Sequence, residues 1–169
     1  MSEKRKFAAG GAVTPAASRQ RFPDYSYRAD PDVPAFPDDK AVIVFDGVCV
    51  LCSAFARFVA TRDTAQKFRF IAAQSALGLS LYRHFGLDPV NYETNLLIAN
   101  GRVSVKMAAV VGIVTALGGG WRLIGVFSWL PARLSDRMYE AIARNRYRLF
   151  GRQEQCIRPD ASWSDRVIE

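Results

Sequence analysis

Asp46, Cys49 and Cys52 recur at three-residue spacing in Val42-Ile43-Val44-Phe45-Asp46-Gly47-Val48-Cys49-Val50-Leu51-Cys52. Two thiols at that spacing share one side of a helical turn and can close a small disulfide ring, which is the equipment for two-electron thiol–disulfide exchange. The pair also has duller readings, as buried structural cysteines or as half of a zinc site. Cys49, Cys52, Cys156 and the sole histidine, His84, would together make a Cys₃His set. Against zinc, Cys52 follows apolar Val50 and Leu51 rather than a knuckle, and His84 falls late on a different helix. The expectation is a redox dithiol that carries its own two electrons, with no metal and no organic cofactor.

These residues need a corner to hold them. Ala41 to Phe45 is a short apolar block rich in β-branched residues and closed by Asp-Gly, which reads as a buried strand followed by a turn. Leu51, Phe55, Phe58 and Val59 then recur at i, i+4, i+7 and i+8, so a helix with one apolar stripe covers 50–62. A thiol in the first turn of that helix meets unpaired backbone N–H groups and the positive end of the helix dipole, both of which favour thiolate. Cys49, at the corner, is therefore expected to be the exposed, attacking sulfur, and Cys52, one turn deeper, the resolving one. Asp46 either caps the turn, the usual fate of Asp before Gly at a strand end, or accepts a proton from Cys52. Its charge also opposes thiolate formation. With no His, Lys or Arg between the cysteines, the pair leans towards reductase or exchange chemistry.

Asp46-x-x-Cys49-x-x-Cys52 after a hydrophobic strand resembles the motif of the DCC family, predicted thiol-disulfide oxidoreductases related to thioredoxin. The likeness extends to Arg69-Phe70-Ile71-Ala72-Ala73-Gln74-Ser75, Leu130-Pro131, Tyr139, the block Ala143-Arg144-Asn145-Arg146-Tyr147-Arg148-Leu149-Phe150-Gly151 and Cys156, covering roughly Ala41 to Pro159. The resemblance implies a thioredoxin-like fold and a dithiol chemistry without naming a substrate. It departs from thioredoxin in two places. Where thioredoxin puts a cis-proline facing the cysteines, this chain has Tyr92-Glu93-Thr94-Asn95-Leu96, so Thr94 and Asn95 would have to form the substrate wall. Val48 stands where thioredoxin carries a tryptophan before its first cysteine. Cys156 becomes a third redox thiol only if the C-terminus folds back over the corner.

The remaining elements agree with that α/β fold. A second strand runs from Lys67 to Ala72, with the long crossover that a parallel pair requires. A helix over 74–85 ends at Gly86. Thr94 to Ala99 and Arg102 to Val105 flank Asn100-Gly101, a strong hairpin signal. Lys106 to Leu117 reads as an apolar helix, giving βαβ, a linking helix, a hairpin and a helix. After Gly118-Gly119-Gly120 comes a helical extension over 121–151. It consists of the apolar stretch Trp121 to Leu130 and a helix Ala132 to Phe150, with Leu134, Met138, Ile142 and Leu149 as the expected buried stripe.

The 169 residues, half of them hydrophobic, are enough for one domain with a real core. Residues 1–39 hold five of the eight prolines and read as a disordered or extended tail, residues 40–160 as the domain and residues 161–169 as a C-terminal tail. There is no run of about 18 apolar residues, and Met1-Ser-Glu-Lys-Arg-Lys leads into no apolar h-region, so the expected location is the cytoplasm. The formal charge is +7, and residues 121–152 carry seven arginines against Asp136 and Glu140, a net +5. Beyond a protein or small-molecule disulfide, Arg144, Arg146 and Arg148 could meet an anionic or acidic partner, and Trp121, Phe127 and Trp129 a membrane surface. No nucleic-acid-binding module is visible. The rival to the redox reading is a non-catalytic binding module, zinc-stabilised or not, that uses this basic surface.

Overall fold

The computed structural model describes residues 22–92, 94–129, 131–153 and 163–168. At its centre is β1 (Ala41–Phe45), whose five residues are all buried. Ala41, Ile43 and Phe45 enter one core while Val42 and Val44 enter another, so a run with no polar alternation is what a strand covered on both faces requires. α1 (Val50–Arg62) crosses over to β2 (Phe68–Ala72), which pairs parallel to β1 with Ile43 opposite Phe70. α2 (Ala76–His84) starts where the Ser75 hydroxyl accepts the Gly78 N–H at 3.0 Å.

β3 (Leu96–Ala99) and β4 (Arg102–Val105) form the expected hairpin. Asn100 and Gly101 both turn with positive φ, 52° and 78°, as a two-residue turn with matched twist demands. α3 (Lys106–Ala116) follows, then a 3-10 helix over Gly119–Trp129, and α4 (Ala132–Phe150). The sheet order is β4-β3-β1-β2-β5, with β3 antiparallel to its neighbours. The first four strands, with α1 and α3 on one face and α2 on the other, make a thioredoxin-like α/β fold.

Both ends of the described chain do more than tail composition suggests. Residues 22–40 lie against the α2 face, where Tyr27 and Val33 join the core of Val44, Leu81 and Phe85. At the other end Trp163 is fully buried against Phe70, and β5 (Val167–Ile168) adds a parallel strand beside β2. α4 also reverses the expected facing. Leu134, Met138, Ile142 and Leu149 are exposed, whereas Ser135, Ala143 and Arg146 are buried. The inward stripe is thus small and polar rather than apolar, because the helix docks through an ion pair described below. Among the described residues no helix is long and apolar enough to cross a membrane.

Candidate active site

α1 begins at Cys49 because the sulfur itself is the cap: Sγ accepts the Cys52 backbone N–H at 3.4 Å, satisfying one of the helix's otherwise free donors. Ser53 Oγ ties the same turn to the Gly47 carbonyl at 3.1 Å. Both cysteines are free thiols. The Cys49 pKa is lowered to about 6, first by the hydrogen bond from the Cys52 thiol and then by the Cys52 N–H; burial and the Asp46 charge act the other way, and Arg146 assists. Cys52 is correspondingly pushed up, by giving its hydrogen bond to Cys49 and by burial. The hydrogen bond between the two thiols thus favours the ionised form of Cys49 and the protonated form of Cys52.

The expected exposures are reversed. Cys49 has no exposed surface, while Cys52 retains 9%. The cover over Cys49 is a strap after α4: Gln153 N–H donates to the Val48 carbonyl at 2.8 Å, Val50 N–H to the Gly151 carbonyl at 3.5 Å, and Cys49 bridges to Arg152. Cys52 instead stands in the wall of a cavity between α1, α3 and α4.

Asp46 is 1% exposed and takes donors on both oxygens. Oδ1 accepts Gln74 Nε2 at 2.7 Å and the Val48 N–H at 3.1 Å; Oδ2 accepts Arg146 Nη2 at 3.0 Å and the Tyr147 hydroxyl. It caps the turn, and it is also the anchor for α4. Gln74 is itself fixed by the Gly47 N–H at 3.0 Å. Arg146 also donates to the carbonyls of Ala143, Asn91 and Tyr92, so a single guanidinium gathers α4, the loop before β3 and the cysteine corner. Burial and the Asp46 hydrogen bond push the Tyr147 hydroxyl up to about 12.

The other sequence-level candidates divide. Asn95 lines the cavity; Thr94 is buried, and its hydroxyl accepts the Lys106 N–H at 2.8 Å. Arg146 faces inward on Asp46 and is not open to an anionic partner, which corrects its grouping with Arg144 and Arg148; those two remain exposed. His84 bonds to Asp30 at 2.5 Å and to Ser26 at 2.8 Å, so it does not join the cysteines as the zinc alternative required. Among the described residues no group of His, Cys, Asp and Glu is placed to hold a metal. Cys156 lies outside the described residues. Gln74 and Tyr147 had no role assigned from the sequence, and Arg146 had one only as a member of an arginine group, although all three stand in the blocks that carried the family resemblance.

The Asp46–Arg146 staple joins the strand-to-helix corner to the far end of α4, and a known family matches over the same span. The DCC1-like thiol-disulfide oxidoreductase family matches residues 43–152. The chain is 35% identical over 127 residues to the uncharacterized protein YuxK of Bacillus subtilis, covering 75% of this chain and 93% of that one. It is 33% identical over 120 residues to a chloroplastic DCC family protein of Arabidopsis thaliana, covering 70% of each. No solved structure matches the chain. With the family's span running from the cysteine strand to the strap, and with Asp46, Cys49 and Cys52 gathered inside it, the chain belongs to the DCC1-like thiol-disulfide oxidoreductase family.

Proposed function

We propose that the chain exchanges electrons with disulfides through Cys49 and Cys52, Cys49 attacking and Cys52 resolving. The observation that carries this is the asymmetric placement of the pair: Cys49 Sγ caps α1 and accepts the Cys52 thiol and the Cys52 N–H, the latter at 3.4 Å, which lowers its pKa, while its own hydrogen bond to Cys49 and burial push the Cys52 thiol upward. Only the thiolate is a nucleophile. Cys49 Sγ bonds to one sulfur of the substrate disulfide, and the S–S bond breaks to release the first thiolate. The Cys52 proton passes to that leaving thiolate. Cys52 Sγ then attacks Cys49 Sγ and expels the second thiolate, which takes a proton from water. The protein is oxidised to its disulfide, the substrate is reduced to two thiols, and an external dithiol restores the pair.

Asp46 serves this as a positioning residue, since both of its oxygens are occupied by donors that fix the corner. A Cys49 value near 6 is closer to the value of about 7 in reductive CxxC helices than to the about 3.5 of strong oxidants, which favours reduction or exchange over oxidation. Asn95 forms the wall beside Cys52, with Thr94 holding it from behind. The test is covalent trapping: Cys52→Ser should accumulate mixed disulfides on Cys49 and Cys49→Ser should accumulate none. Trapping by Cys49→Ser alone would reverse the two roles, and trapping by neither variant would remove the exchange reading.

A further inference from the structure

Resting on the exchange reading, we propose that the cavity between α1, α3 and α4 is the substrate site and that it selects uncharged, apolar disulfides. The cavity holds about 230 Å³. Leu51, Phe55, Met107, Val110 and Ile142 supply its wall, and Cys52 stands among them. Among the described residues the one charged side chain in the lining is Arg146, which is already neutralised by Asp46 at 3.0 Å. A carboxylate carried into this space would give up water and find no free counter-charge among the described residues, a cost that apolar groups avoid.

Size points the same way. The volume falls below the roughly 300–1,000 Å³ of sites for drug-sized ligands. It suits a single ring or a branched alkyl group on one side of an S–S bond, not a charged tripeptide. The mouth is marked by Ile142, which lines the cavity yet is half exposed on α4. An occupant meets Cys52 first. Turning the Cys52 thiol to another rotamer breaks its hydrogen bond to Cys49 and opens the thiolate to the cavity without lifting the strap. Cys52 thereby acts as the gate before it acts as the resolving thiol.

Two measurements on the full chain test this. The first compares kcat/KM for reduction of dibenzyl disulfide and of glutathione disulfide, with a dithiol reductant regenerating the pair. An apolar preference of about tenfold or more is expected, the scale on which an apolar pocket discriminates. Ile142→Glu, at a half-exposed position that tolerates charge, should erase that preference. The second measurement uses dibenzyl sulfide, which has no S–S bond to exchange. It should raise the melting temperature of the wild type and of Cys49→Ser, but not that of Ile142→Glu. Equal rates for the two disulfides, together with no effect of the thioether, would overturn the pocket proposal and leave exchange standing. Thioether binding with no reduction of either disulfide would overturn the exchange reading, and with it the catalytic meaning of the site.

Discussion

Asp46 and Arg146 are one hundred residues apart in the chain and share a buried ion pair whose side chains are 1% and 4% exposed. Removing one partner of such a pair leaves a charge in a dry site, so Asp46→Asn should cost about 3–5 kcal/mol, read as a lower urea midpoint. The same substitution removes the negative charge that opposes Cys49 ionisation, whereas Arg146→Met removes the positive charge that favours it. In a Cys156→Ser background, ultraviolet thiolate absorbance should titrate near pH 6 in the parent, lower in Asp46→Asn and higher in Arg146→Met. Cys52→Ala removes the largest lowering cause, the thiol hydrogen bond, and should move the midpoint up furthest; an unmoved midpoint would show that the Cys52 thiol is not what stabilises the thiolate. Because the folded pKa is depressed, the associated stability is complete above the ordinary thiol range and is lost as pH falls through about 6. At this scale the sequence disclosed the cysteine pair and the arginine block but not which arginine meets Asp46. Arg144, Arg146 and Arg148 look alike in a helical run, and only the Asp46 carboxylate on another element decides which of them turns inward.

Elements were legible where local chemistry dictates them and less so where a distant partner does. The strand-to-helix corner and the Asn100-Gly101 hairpin follow from β-branched runs, turn residues and helical spacing over a few positions. The facing of α4 does not. Its apolar stripe of Leu134, Met138 and Ile142 reads as core, yet Ser135, Ala143 and Arg146 are the residues buried. The small side chains let the helix approach, and the ion pair fixes which side faces in. β5 is two residues long, too short for any period to announce it, and it exists because β2 offers an open edge. Close approach also governs α2. A Cβ on Gly78 would lie 2.2 Å from the Ala72 carbonyl oxygen and 2.8 Å from Ala73 Cα, both of them backbone. Gly78→Ala must therefore push α2 off the end of β2, at about 1–3 kcal/mol. The denaturant midpoint should fall with an unchanged slope; an unchanged midpoint would mean that α2 has slack the packing does not show.

For the whole molecule, the two faces of the sheet carry different duties. α1, α3 and α4 surround the cysteines on one face. The opposite face is closed by α2 and by residues 22–40, whose prolines and charges read as tail. What that composition hides is a set of long-range contacts. Tyr27 packs into the core and donates to Asp38 at 2.5 Å, Phe36 stacks on it with ring centroids 5.3 Å apart, and Tyr25 N–H donates to the Gly101 carbonyl at 2.9 Å. The Tyr25 ring lies so close to Gly101 that a Cβ there would meet it at 2.4 Å, so the hairpin turn and the N-terminal segment are fitted to each other. A chain beginning at Ala41 would bare Val42, Val44 and Phe85. Burial of each large apolar side chain is worth about 1.5–3 kcal/mol, so with Tyr27, Val33 and Phe36 lost the truncation should lower stability by at least about 3 kcal/mol. The thiolate midpoint near pH 6 should not move, since Cys49 caps α1, which packs on the other face. A truncated chain as stable as the full one would return residues 22–40 to the status of a tail. A shifted thiolate midpoint would mean that the two faces are coupled through β1.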